Sequence, residues 1–137
     1  MKVLLINPDV GYYTRALSNP LGLLSIGTYL KQAGHEVMIY DRCVDKTSLK
    51  AVIKSFNPGI VGVSVMSSRG LKDAIKVSKA IKASGIKVVW GGQLPSMQTE
   101  LVLENDYVDM VSYGEGEETW KELVCCMENK EDYPLSI

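Results

Sequence analysis

Two short runs end in residues that could do chemistry. Residues 61–66 read Val-Gly-Val-Ser-Val-Met and residues 88–92 read Val-Val-Trp-Gly-Gly. Each is apolar and stops abruptly at small or polar residues. That is the pattern of a buried parallel strand whose C-terminal end stays open to a ligand. Ser64, Ser67 and Ser68 offer hydroxyls there, and Gly91 and Gly92 let a ligand come close to the backbone, since glycine carries no Cβ. Such residues support recognition rather than proton transfer. There is no Ser–His–Asp set and there are no paired histidines. The single histidine, His35, falls in the turn between a helix and the second strand, at the opposite edge of the sheet, and is expected to be a surface turn residue. No catalytic residue and no metal ligand is assigned. Cys43, Cys125 and Cys126 show no CxxC or CxxxCxxC spacing, so they read as reduced thiols and offer no zinc or iron–sulfur site.

The elements that must position these residues follow in order. Residues 2–6 form strand one. Residues 7–19 form a loop without a period, longer than a βα connection usually needs. Asn19 suits an N-cap, Pro20 the first helical position and Gly34 the stop of helix one, whose inner face is Leu23, Leu24, Ile26, Gly27 and Leu30. Residues 36–40 give strand two, with Asp41 at its end. Helix two starts near 45–47 and runs to 55, with Leu49, Val52 and Ile53 inward. Residues 60–65 are strand three. Helix three covers 71–83, with Ser68 as N-cap, and its Lys72, Lys76, Lys79 and Lys82 read as a solvated face. Strand four is 87–90, a helix covers about 96–104, strand five is 107–112 and shorter in its apolar content, and a last helix covers 118–127.

Five strands alternating with helices predict an α/β fold: a flavodoxin-like, Rossmann-like three-layer sandwich with a five-stranded parallel sheet in the order 2-1-3-4-5. At 137 residues the chain is about one domain. Residues 1–127 are read as the domain and 128–137 as a polar tail. The ligand edge then gathers the 7–19 loop, Asp41, the 64–70 loop, the 91–95 loop and the 113–117 loop. Asp41 is placed to meet a ribose hydroxyl, but the first loop lacks G-x-G-x-x-G, which speaks against a dinucleotide, and no P-loop is present. A net charge of −1 gives no electrostatic case for nucleic acid. No apolar run approaches the ~20 residues needed to cross a bilayer, and the chain reads as cytoplasmic.

Ser64-Val65-Met66 followed by Gly91-Gly92 resembles the S-x-L…G-G signature of cobalamin-binding domains, with Met66 in the leucine place. The whole chain is similar to the N-terminal cobalamin (B12)-binding domain of cobalamin-dependent radical SAM proteins. The phrases that carry this lie in the right order: 3–8 Val-Leu-Leu-Ile-Asn-Pro, 20–26 Pro-Leu-Gly-Leu-Leu-Ser-Ile, 30–37 Leu-Lys-Gln-Ala-Gly-His-Glu-Val, 58–66, 88–92, and 113–119 Tyr-Gly-Glu-Gly-Glu-Glu-Thr. Many cobalamin carriers show D-x-H-x-x-G after strand one. Here residues 7–12 read Asn-Pro-Asp-Val-Gly-Tyr, without histidine, as in the radical SAM branch.

The resemblance implies a corrinoid bound base-off, with no histidine on cobalt and its nucleotide tail threaded between sheet and helices. Ser64 would hydrogen-bond the buried base or tail. Gly91 and Gly92 would leave room that any Cβ would fill. Asn7, Pro8, Tyr12, Met66, Ser67, Gly114, Glu115 and Gly116 would face the corrin ring, Val65 would be a further cofactor-binding residue, and Tyr12, Tyr13 and Tyr113 would be able to pack on the ring's lower face. It further implies a radical SAM domain, in cis or in trans, following the 128–137 segment as a linker and carrying a 4Fe-4S cluster and S-adenosylmethionine. The parent activity would be methyl transfer or related radical chemistry, with the chain as cofactor-presenting module. Two alternatives stay open: a domain of this type that has lost the cofactor and serves docking or substrate recognition, and a flavodoxin-like binder of FMN or a nucleotide.

Overall fold

A computed structural model describes residues 1–11 and 20–132. Apolar runs punctuated by glycine and helix-forming stretches build β1 (Lys2–Asn7), α1 (Leu21–Gln32), β2 (Glu36–Asp41), α2 (Leu49–Phe56), β3 (Ile60–Ser64), α3 (Leu71–Ala83), β4 (Lys87–Gly91), α4 (Gln93–Met97), α5 (Thr99–Leu103), β5 (Met110–Ser112) and α6 (Gly116–Asn129). All strand pairs are parallel, and the sheet order is β2-β1-β3-β4-β5, as the alternation of elements predicts.

Side chains on a strand alternate between faces, and here each face has its own core. Leu4, Ile6, Val61, Val63, Val65, Val88 and Trp90 pack under α2 and α3 against Val52, Phe56, Val77 and Ile81. Val3, Leu5, Ile60 and Val89 pack under α1 and α6 against Leu23, Leu30, Trp120 and Val124. On the first face the Trp90 indole donates to the buried Ser78 hydroxyl at 2.9 Å, so its N–H is not stranded in the core.

Several local expectations change. Leu24 is 42% exposed rather than inward, leaving Leu23, Gly27 and Leu30 as the buried face of α1. Helix two begins later than 45–47, because Asp45 accepts from Thr47 N–H in its own turn and Ser48 caps Ala51 N–H at 3.2 Å. At α3 the residue before the helix is Gly70 in the left-handed region, and Ser68 contributes its backbone carbonyl to Leu71 N–H rather than a side-chain cap. The helix expected at 96–104 is two short ones that meet at Gln98. Hydroxyl groups bond back to the preceding turn at both: Ser96 to the Gly92 carbonyl and Thr99 to the Pro95 carbonyl. β5 keeps only its last three residues, as Tyr107 instead tilts against Trp90 with ring centroids 5.9 Å apart. His35 is mostly covered, its Nδ1 lying 3.6 Å from Glu128 and 3.4 Å from the Met1 amine. The lysine face of α3 is partly engaged, with Lys79 over the Tyr107 ring and Lys82 bonded to Asp109. Asn19, Tyr12 and residues 133–137 lie outside the described residues.

Asp109 carries a testable consequence. Burial works to raise its pKa, but Lys82 at 2.6 Å, the Val88 N–H at 2.8 Å and Lys87 at 3.3 Å outweigh it and hold the carboxyl below the usual aspartate range. The unfolded chain therefore binds more protons at Asp109. Its stabilising effect is complete above the ordinary value of about 4 and is lost as pH falls through the lower folded value. The urea midpoint is expected to drop as pH falls below about 5, and Asp109→Asn to flatten part of that drop. A titration of urea midpoints in which Asp109→Asn parallels the parent chain would count against this role.

Candidate cofactor-binding site

The strand faces explain the site. On the α1/α6 face, β3 presents Ile60, Gly62 and Ser64, β4 presents Val89 and Gly91, and β5 presents Met110 and Ser112. Register places Ser64 opposite Gly91 and Gly91 opposite Ser112, so one row across three strands holds only small side chains. One step deeper on the same face stand Val89 and Met110, with the Trp120 ring over Gly62. The missing volume along that row is a cavity of about 420 Å³, open toward the carboxyl edge, with Leu23 and Ile26 of α1 on one wall and Trp120 and Glu117 of α6 on the other.

Trp120 closes its inner end. A Cβ on Gly62 would sit 2.5 Å and 2.8 Å from two Trp120 ring carbons, so a glycine in mid-strand is what lets the indole lie on the sheet. Gly91 and Gly92 have different causes. At Gly92, φ is +111° and a Cβ would come within 2.8 Å of the Val65 carbonyl oxygen, so glycine is required there by the chain's own backbone. At Gly91, a Cβ would meet only Ser112, at an ordinary 3.6 Å. The chain therefore tolerates a side chain at Gly91, and the space left there opens into the cavity.

Polar groups face this space without being used by the protein. Ser112 is only 4% exposed, and Ser64 is half-buried. Among the described residues neither hydroxyl has a hydrogen-bond partner, and the Trp120 indole N–H has none either. Among the described residues no sealed side-chain polar atom lacks a partner, so these groups reach the open space of the cavity, where a ligand or solvent can meet them. At the mouth, Ser96 ties two loops together, donating to the Gly92 carbonyl at 2.9 Å and accepting from Gly114 N–H at 3.3 Å. Ser25 of α1 donates to Glu117 of α6, and this bond holds the Glu117 carboxyl below the usual range.

The expected site residues divide. Ser64, Met66, Gly91, Gly92, Gly114, Glu115 and Gly116 line the cavity, and Gly116 is the first residue of α6 rather than part of the preceding loop. Met66 is 60% exposed at the rim, and Tyr113, which is not part of the lining, is 59% exposed. Val65 turns its side chain into the opposite core and gives the edge only its backbone, with its N–H donating to the Gly91 carbonyl at 2.7 Å and its carbonyl accepting from Leu94. Ser67 is exposed and accepts from Arg69 N–H. Asn7 donates to Asp41 at 2.9 Å, and Asp41 also accepts from Cys43 N–H, so Asp41 is engaged within the chain rather than held out for a ribose. Burial raises the Cys43 thiol, which keeps it protonated. Pro8 is buried in the same edge.

Sequence reasoning passes over Ser112, Trp120 and Gly62, which together define the cavity. It also misses Asp73, which anchors the start of the first loop. Asp73 accepts from Asp9 N–H at 2.8 Å and from Arg42 Nε at 2.7 Å and Nη2 at 3.0 Å. A glycine inside an apolar strand is a signal that could have pointed to Gly62, and a serine at an inward parity of β5 one that could have pointed to Ser112, but neither points to Trp120.

The row of small residues and the unpaired hydroxyls leave room in this cavity for a ligand, with Met66 exposed at its rim. The profile of the B12 binding domain family matches residues 13–124. The chain belongs to that family. This B12-binding domain is 33% identical over 134 residues to an uncharacterized methyltransferase of Pyrococcus horikoshii, covering 90% of this chain and 29% of that protein. Its fold is similar to that of the radical S-adenosylmethionine methyltransferase TsrM from Kitasatospora setae, solved with cobalamin and a 4Fe-4S cluster bound. There the TM-score is 0.80 at 23% identity, over 96% of this chain and 27% of that one. It is equally similar to OxsB, a cobalamin-dependent S-adenosylmethionine radical enzyme solved with aqua-cobalamin and S-adenosylmethionine, with a TM-score of 0.81, 24% identity, and 96% and 19% of the two chains. The B12-binding domain thus spans less than a third of each of these proteins. Among its described residues no helix is long and apolar enough to cross a membrane.

Proposed function

We propose that this B12-binding domain holds cobalamin base-off and presents the corrin ring at the carboxyl edge of the sheet to a radical SAM domain, in the same chain or another. The observation that carries this reading is the cavity of about 420 Å³ under α1 and α6, floored by Ser64, Gly91 and Ser112 with its hydroxyls unpaired. A base displaced from cobalt needs such a slot, whereas a base still on cobalt leaves it empty. Residues 7–12 contain no histidine, and His35 sits at the far edge beside Glu128, so this chain brings no imidazole to the lower face of the ring.

In this reading Ser64 bonds the base, Gly91 makes room for it, and Met66, Tyr113 and the start of the first loop, where Asp73 accepts from Asp9 N–H, support the ring. The bound corrinoid supplies a transferable methyl group or related radical chemistry, and the domain supplies binding and orientation. The cluster and S-adenosylmethionine belong to the radical SAM domain. The three free cysteines accord with a reducing cytoplasm.

Electron paramagnetic resonance of the Co(II) form tests the coordination. The chain loaded with cob(II)alamin is expected to show cobalt hyperfine lines without nitrogen superhyperfine splitting. Nitrogen triplets on those lines would mean that the base or an imidazole remains on cobalt, and would contradict the base-off reading.

A further inference from the structure

The floor of the cavity carries one hydroxyl more than a single ring nitrogen needs. Ser64 and Ser112 stand on strands two apart, flanking Gly91 in register, on the same face. Both line the cavity, and Ser112 is 4% exposed with no hydrogen-bond partner among the described residues. We propose that Ser112 is a specificity residue which, together with Ser64, selects corrinoids whose lower base is a purine over those carrying dimethylbenzimidazole. This deepens the base-off reading and rests on it.

Distances support the pairing. Two strand spacings separate the Cα atoms by about 9.6 Å. A base bonded at both edges spans about 10 Å between oxygens: roughly 2.9 Å for each hydrogen bond and about 4–5 Å across the ring system. Gly91 lies beneath the middle of that span, where a Cβ would otherwise rise. A purine such as adenine carries ring nitrogens and an exocyclic amine on opposite edges, so it can bond Ser64 with one and Ser112 with the other. Dimethylbenzimidazole freed from cobalt has one acceptor nitrogen. Once that nitrogen bonds Ser64, its methyl-bearing edge lies toward Ser112. The Ser112 hydroxyl is then buried without a partner, a situation that disfavours binding.

The test compares three probes on the full 137-residue chain by equilibrium dialysis: cobalamin, the adenine-bearing cobamide, and cobinamide, which has no nucleotide tail. The adenine-bearing form is expected to bind about tenfold more tightly than cobalamin. Ser112→Ala is expected to bring the two together and Ser112→Thr to keep the preference, with cobinamide binding unchanged throughout. Equal or tighter binding of cobalamin by the parent chain would overturn the proposal, and that result does not depend on any variant folding. A ratio unchanged by Ser112→Ala would also overturn it. If neither tailed form binds better than cobinamide, the tail does not enter the cavity, and the base-off reading falls with the proposal.

Discussion

Gly91→Leu is expected to abolish corrinoid retention and leave the fold intact. The two halves of that expectation have separate causes. Gly91 ends β4 with an extended backbone, and its Cβ would touch only Ser112, at 3.6 Å, so a side chain there costs the protein little. The leucine side chain would then occupy the floor of the cavity between the two serines, where a ligand has to lie. Affinity should fall by about 100-fold or more. The thermal midpoint should change little, because the new side chain fills existing space but covers the Ser64 and Ser112 hydroxyls. Gly92→Leu would lose binding as well, but for a mixed reason: its φ of +111° and the Val65 carbonyl at 2.8 Å make any side chain there distort the backbone. Circular dichroism and dialysis on the Gly91 variant separate the effects. Undiminished cobalamin binding by folded Gly91→Leu would remove the tail from the cavity.

Trp120→Ala should be the most damaging single truncation. Trp120 is 3% exposed and packs its ring into the gap left by Gly62, so it is the main contact by which α6 lies down on β3. Losing a buried indole costs about 3–5 kcal/mol in transfer and cavity terms. In a chain of this size that is a fall of about 10–20 °C in thermal midpoint. Binding should weaken in the same variant, since the inner end of the cavity opens. Differential scanning calorimetry gives the answer directly. A shift of less than about 3 °C would show that the Trp120–Gly62 contact does not hold the layer together.

Those two sites also show what a sequence can and cannot disclose. The strands and their order were readable because parallel strands buried on both faces are nearly continuous apolar runs, and because glycine and proline mark their ends. Ser64 and the Gly91–Gly92 pair were readable because they interrupt such runs at the ligand edge. Ser112 was not, because its importance comes from parity and register with Gly91 across β5, and β5 turned out to be three residues long rather than six. Trp120 and Gly62 were not, because neither residue alone signals that a side chain 58 positions later in the sequence will occupy the place of a Cβ. Asp73 escaped for a similar reason. On α3 it looks like an ordinary first-turn acid, and only the fold brings Arg42 and the Asp9 N–H to it.

The central claim is that this chain binds a corrinoid by drawing its tail into the cavity under α1 and α6. The most direct measurement is to mix the folded chain with hydroxocobalamin, desalt, and record the visible spectrum of what remains bound. Retained corrinoid at about one per chain with a base-off spectrum is the expected result. A retained base-on spectrum would contradict tail threading, and a colourless, folded protein would contradict cofactor binding by this chain.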